Sequence, residues 1–199
     1  MKYRSLTRAS GPEVEPVSVA DAKQHLRVDS ENDDLYIAGL ISAAREWCET
    51  YTDRTFVHTQ WTVTFDTFPW EIELPRPPVA VAAGNTATTI TFAQEGGGTG
   101  TLATSAYRVD RAAEPGVIRT VYAGTWPSHL LDKNSVSVTW WAGYGADGTK
   151  VPKVVRSAIL MLVGSWYEKR EAVIAGTISK EIEFGVKALL DSIKWGSYQ

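Results

Sequence analysis

Apolar positions recur at helical spacing in three stretches of the chain and at alternate positions in a fourth, and this change of period divides it. Ile37, Leu40, Ile41, Ala44, Trp47, Cys48 and Tyr51 fall on one face of a helix. Asn32 is placed to cap that helix, and Asp33 and Asp34 suit its positive N-terminal end. A shorter helix over residues 20–27 precedes it, opened by the capping-box spacing of Ser18 and Asp21 and broken at 28–30. From Thr55 the period drops to two. Val57, Trp61, Val63 and Phe65 take one face, with His58, Gln60, Thr62, Thr64 and Asp66 on the other, which is the signature of a half-buried strand. Further strands are expected at 71–74, 88–93, 107–109, 117–122 and 135–141, separated by PRPP (75–78), GGGTG (96–100) and TWPSH (125–129). Pro152 then suits a first helical turn, and Val155, Ile159, Leu162, Val163 and Trp166 return to helical spacing as far as about residue 167. The last pattern is weaker: Gly185 interrupts it, so a helix is expected only over 186–193.

This order predicts an α+β fold, a helical body made of two N-terminal helices and the C-terminal helices, with a small antiparallel β module inserted between them. The corresponding division is an extended N-terminal arm (1–16), the helical body (17–54 and 151–193), the β insertion (55–150) and a C-terminal tail (194–199). In the arm, Lys2, Arg4 and Arg8 precede any acid, and Gly11, Pro12 and Pro16 follow; a frayed terminus is its simplest reading.

Composition narrows the function classes. At 199 residues, with 44% hydrophobic and 22% charged positions, the chain can bury a core and is not a disordered polymer. Its net charge of −3 argues against a general nucleic-acid binder, whose phosphate contacts need clustered cations. Residues 17–54 are acidic and 151–199 basic. The single cysteine, Cys48, excludes an intramolecular disulfide framework and fits a reducing compartment. No stretch approaches the roughly 20 apolar residues of a membrane span, and the N-terminus has no apolar leader core, so a soluble protein made in the cytoplasm is expected, without a membrane partner.

The motifs that suggest chemistry fail on context. Residues 143–148 spell G-x-G-x-x-G, but Thr149, Lys150 and Val151 intervene before the next helix and no βαβ unit follows, so the glycines read as a strand-to-helix turn. GGGTG lacks the Gly-Lys-Ser/Thr end of a phosphate loop and reads as a hairpin. Glu71 and Glu73 share a strand face as glycosidase carboxylates might, yet solvated strand-edge charges are commoner. His25, His58 and His129 lie in different elements without ligand spacing, and Cys48 sits on an apolar stripe. No catalytic residue, metal or cofactor is expected, and the chain does not read as an enzyme. The eight tryptophans leave one rival open: Trp61, Trp70, Trp126, Trp140 and Trp141 would suit a carbohydrate- or ligand-binding β module carried on helices.

Four phrases, in this order and spacing, are more specific. PVSVADAKQHLRVDSENDDLYIAGLISAAREWCETYTDRTF (16–56), LPRPPV (74–79), VTWWAGYG (138–145) and VPKVVRSAILMLVGSWYEKREAV (151–173) resemble the head-tail connector, or adaptor, family of tailed bacteriophages and phage-derived gene transfer agents. The centre, 80–134, is only loosely like the family. The resemblance implies a structural neck protein at the head-tail junction of a virion or phage-like particle. Its subunits would form a closed homo-oligomeric ring under the portal protein, about twelve copies by family expectation, in which one face of each protomer meets a different face of the next. Such a ring would extend the channel through which DNA passes without sequence-specific binding, and would dock a stopper or other tail-side neck protein. Two sets of residues follow as candidates. Asp33, Asp34, Glu46 and Glu49 would line the channel as an acidic wall that repels phosphates, and Lys194, Trp195, Tyr198 and Gln199 would contact the portal.

Overall fold

The structure, a computed structural model, describes residues 3–80, 88–169 and 180–195. The chain divides into two compact units, one of residues 1–12 with 58–145 and one of residues 13–57 with 146–199.

The first unit is built on the two most regularly alternating segments of the sequence. Strand β1 (Ser5–Ser10) pairs antiparallel with β2 (Thr59–Phe65), and β2 pairs with the last strand, β8 (Val136–Ala142). Both β2 and β8 bury every second residue, and the register sets Trp61 opposite Trp140, Val63 opposite Val138 and Phe65 opposite Val136. Threonine and serine occupy the other face, where the hydroxyls of Thr62 and Thr139 meet at 2.9 Å. Strands β4 (Thr89–Ala93) and β5 (Thr99–Thr101) complete a five-stranded sheet of order β1-β2-β8-β4-β5. A second sheet, ordered β3-β7-β6, comprises β3 (Ile72–Leu74), β6 (Tyr107–Asp110) and β7 (Gly116–Thr120). The inward residues of both sheets form one core: Trp61, Val63, Phe65, Ile90, Phe92, Val136, Val138 and Trp140 from the first, and Ile72, Leu74, Tyr107 and Ile118 from the second. This is the sandwich arrangement expected when two half-apolar sheets must both be covered.

Two strands escape sequence reading. Residues 5–10 are not a frayed arm but an edge strand, with Ser5 and Thr64 hydroxyls 2.7 Å apart and a register shift between Arg8 and Ser10. Leu6 is their only aliphatic core contact, so their order comes from pairing with β2 rather than from an apolar period. Within GGGTG, Gly97 and Gly98 take the positive φ of a hairpin turn as expected, but Gly100 lies in β5 opposite Phe92. A Cβ there would sit 2.6 Å from the Phe92 ring, so the glycine makes room for a core aromatic.

The second unit is helical. Helix α1 (Val19–Leu26) opens with the capping box, Ser18 accepting from Asp21 N at 3.0 Å and Asp21 from Ser18 N at 3.4 Å. Helix α2 (Asp34–Thr52) buries Ile37, Ile41, Ala44 and Cys48, the core of the expected stripe. Its N-cap is Asp33 rather than Asn32, and the Asp33 side chain makes no cap bond; it accepts instead from the Tyr167 hydroxyl at 2.6 Å. Helix α3 (Lys153–Glu168) follows Pro152 and buries Val155, Ala158, Ile159, Leu162, Val163 and Trp166 against its neighbours α1, α2 and α4 (Lys180–Asp191). Helix α4 corrects the sequence reading, for it runs through Gly185. At that position a Cβ would stand only 3.3 Å from the Met161 methyl, so glycine permits close helix packing that offsets its poor intrinsic propensity.

Replacing Trp140, fully buried between the sheets, by alanine is expected to cost about 3–5 kcal/mol in urea unfolding. A loss below about 1 kcal/mol would contradict the packed sandwich core.

Candidate functional site

Helix α2 carries the four acids predicted to line a channel, and the structure separates them. Glu49 is 6% exposed and faces inward, accepting from Arg45 Nη1 at 2.9 Å and from Phe56 N at 2.9 Å. A carboxylate so placed cannot face DNA, and Glu49 leaves the candidate set. Arg45, itself 4% exposed, also donates to Glu15 from Nε at 2.7 Å, and Ser42 donates to the same carboxylate at 2.5 Å. Glu15 and Glu49 raise the Arg45 pKa above its ordinary value, outweighing the desolvation that is the largest single influence and acts in the opposite direction. Desolvating a guanidinium and its carboxylates is tolerable only when the donors are met, as they are here. Asp34 is bound by Lys23 Nζ at 2.7 Å, and Asp33 by Tyr167. Glu46 remains on the outer side of α2, 3.7 Å from Arg45 Nη2 with its side chain 56% exposed. The acids therefore do not form one free wall on a single face.

Of the four portal-contact candidates, Tyr198 and Gln199 lie outside the described residues. Lys194 and Trp195 are seated at the C-terminal end of α2: the Lys194 ammonium lies 4.5 Å from the Tyr51 ring centroid, and Trp195 N donates to Thr52 O at 3.1 Å. Arg54 also donates to the Ile193 carbonyl. The Tyr51 hydroxyl donates to Asp191 at 2.6 Å, and that bond pushes its pKa up to about 12. The start of the expected tail is therefore an integral part of the helical unit.

The tryptophans do not make a sugar platform. Trp140 and Trp61 are in the sandwich core, Trp61 with the guanidinium groups of Arg8 and Arg76 within 5.5 Å of its ring. Trp126 stacks on Phe68 at 4.9 Å and donates to Pro69 O, Trp141 is half-buried, and Trp70 alone of the five is exposed, at 88%. Core packing claimed Trp61 and Trp140 because alternate positions on β2 and β8 face the second sheet. Elsewhere, Glu71 pairs with Arg119, His129 is held by Thr67 at 3.1 Å, and Cys48 is fully buried, its thiol pushed up to about 12 by desolvation and then by Glu49. Among the described residues no group of three His, Cys, Asp or Glu side chains gathers as a metal site, and no helix is long and apolar enough to cross a membrane.

What the described surface offers instead is apolar contact area. Leu35 and Phe184 in the helical unit, and Trp70, Tyr122 and Leu131 in the β unit, are each more than three-quarters exposed.

Residues 16–83 match the family described as phage gp6-like head-tail connector protein. Nearly the whole chain also superposes on proteins of gene transfer agent (GTA) particles. One, from the neck of an empty GTA particle computed with C6 symmetry, has a TM-score of 0.74 and 20% identity over 96% of this chain and 95% of that one. The chain shares the fold of these GTA particle chains. A chain from the virion of a native GTA particle matches with TM-score 0.73 and 20% identity over 95% and 94% of the two chains, and one from a native GTA neck computed with C12 symmetry with 0.65 and 20% over 96% and 94%. No curated protein matches this chain by sequence. The resemblance read from its phrases is borne out, whereas the sugar-binding alternative finds no support.

Sequence reasoning missed Arg45 altogether. The one available signal was the i, i+4 spacing of Arg45 and Glu49 within an otherwise apolar stripe. Replacing Arg45 by methionine leaves Glu49 buried without its cation and is expected to cost about 3–5 kcal/mol in denaturant unfolding, only partly relieved in the Arg45→Met, Glu49→Leu double variant, which leaves the Phe56 amide without its acceptor. Cys48 is expected to resist alkylation at pH 8 in the native protein and to react fully in denaturant, since burial keeps it protonated and covered; rapid native labelling would contradict its placement.

Proposed function

We propose that this chain is a structural subunit of the neck of a phage-like particle, a head-tail connector that works by assembly and performs no turnover. The observation that carries the reading is the coextensive fold match to GTA neck chains, joined to the sequence match of residues 16–83 to the connector family. The C6 and C12 symmetries of those necks support a homo-oligomeric ring. A ring built by a heterologous contact needs two different adhesive faces on each protomer, and the exposed apolar residues provide material for them.

Within that ring, the portal protein is the proposed partner on one side and a stopper or tail-side neck protein on the other, with DNA passing through the opening. An acidic lining, if this unit supplies it, rests on Glu46 with Asp33 and Asp34, the last two already engaged by Tyr167 and Lys23. The portal contact is assigned to the end of the chain. Because Trp195 is tied to α2, removing residues 196–199 separates binding from folding better than removing 194–199. The shorter truncation is expected to abolish portal capture in a pull-down while leaving the unfolding midpoint unchanged; undiminished capture refutes the assignment. For the function as a whole, particles produced without this chain are expected to accumulate as DNA-filled heads lacking tails. Normal tailed particles in its absence would end the proposal.

A further inference from the structure

The helical unit carries two chemically opposite features at the two ends of α3. Toward its N-terminal end, α1 and α3 enclose an open groove of about 420 Å³, lined by Asp21, Gln24 and His25 from α1 and by Lys153, Arg156, Ser157 and Leu160 from α3. Arg156 reaches Asp21 at 3.2 Å, whereas Lys153 is exposed and has no ion-pair partner among the described residues. The groove thus has a cationic rim over an aliphatic side chain. Toward the other end, where Tyr167 holds Asp33, the loop joining α1 to α2 projects Asp29 and Glu31, both exposed and without an ion-pair partner among the described residues. Directly beyond it stands Leu35, 91% exposed. Arg27 is the loop's cation, but the segment from 27 to 35 stays strongly acidic.

From Leu160 to Tyr167 the helix advances by about 10 Å at 1.5 Å per residue, and Lys23 holds Asp34 at the base of the tip, so the tip flanks its own groove and none of residues 29–35 lines it. We infer that the acidic 29–35 tip of one copy, with Leu35 as its apolar plug, seats in the α1–α3 groove of the next copy, making the head-to-tail contact that closes the ring. Charge complementarity selects the occupant. The groove's lysine, without an ion-pair partner among the described residues, complements the two carboxylates of the tip, and no residue of the tip lines the groove of its own copy. A contact of this kind is heterologous and propagates around an axis. The inference rests on the ring reading above and adds the residues that make the contact.

The test uses the full chain. A Leu35→Cys, Ser157→Cys variant treated with a short bismaleimide is expected to give a ladder of covalent oligomers, while either single variant stops at dimers; buried Cys48 does not compete. In parallel, Glu31→Lys and Lys153→Glu should each weaken self-association at least tenfold, and an equimolar mixture should regain it, because alternating copies restore every tip-to-groove pair. That regain excludes misfolding as the cause of the loss. Absence of the ladder, or a mixture no better than its components, overturns the contact. Native mass spectrometry of the unmodified chain distinguishes the two levels: oligomers without the ladder sink the contact and leave the ring, whereas monomer at every concentration without the ladder sinks both.

Discussion

The helical unit is organised by the burial of one cation. Arg45 lies within the apolar face of α2, where an uncompensated guanidinium would be prohibitive, and it is accommodated because Glu15 and Glu49 surround it with acceptors. Glu15 belongs to the segment that precedes α1, and Glu49 in turn receives the Phe56 amide from the segment that follows α2. One side-chain cluster therefore fixes both chain segments that flank the first two helices. Helix α1 forms one wall of the groove, and the acidic tip joins α1 to α2, so the positions of both depend on it. Hydrophobic packing alone is non-directional and would hold α2 against α3 without setting where residues 15 and 56 run.

What could be read from the sequence follows from which residues obey a period. The stripe of α2 and the alternation of β2 and β8 were legible because burial there falls on apolar side chains at regular intervals. Glu49 and Arg45 break that rule. Charged residues are exposed by default, and only a specific partner at i+4 and another 30 positions away turned them inward. Strand β1 was illegible for the converse reason, since its order comes from hydrogen bonds to β2 rather than from its own side chains. Gly100 and Gly185 were read as breaks because propensity is a local quantity; in the fold each is the place where a neighbouring side chain, Phe92 or Met161, comes too close for a Cβ.

The same division holds for function. The likeness to the connector family was read from four phrases in order; the family match covers the first two of them, within residues 16–83, and the likeness in fold to GTA neck chains extends over nearly the full chain. Individual site residues were not legible in this way. On the proposed reading the chain acts by association, whose signature is apolar and charged surface left unused by its own core, and that surface appears only when burial is known. Leu35 illustrates the point, being one more leucine near the start of a helix in sequence and a bare projection in the folded unit.

The account stands on the claim that copies of this chain form a closed collar at the junction of head and tail. Cryo-electron microscopy of necks from assembled particles tests it most directly. The account predicts density for this chain as a ring coaxial with the DNA channel, the helical unit of each copy contacting that of the next. Necks in which the chain is absent, or present as single copies away from the channel axis, would contradict it.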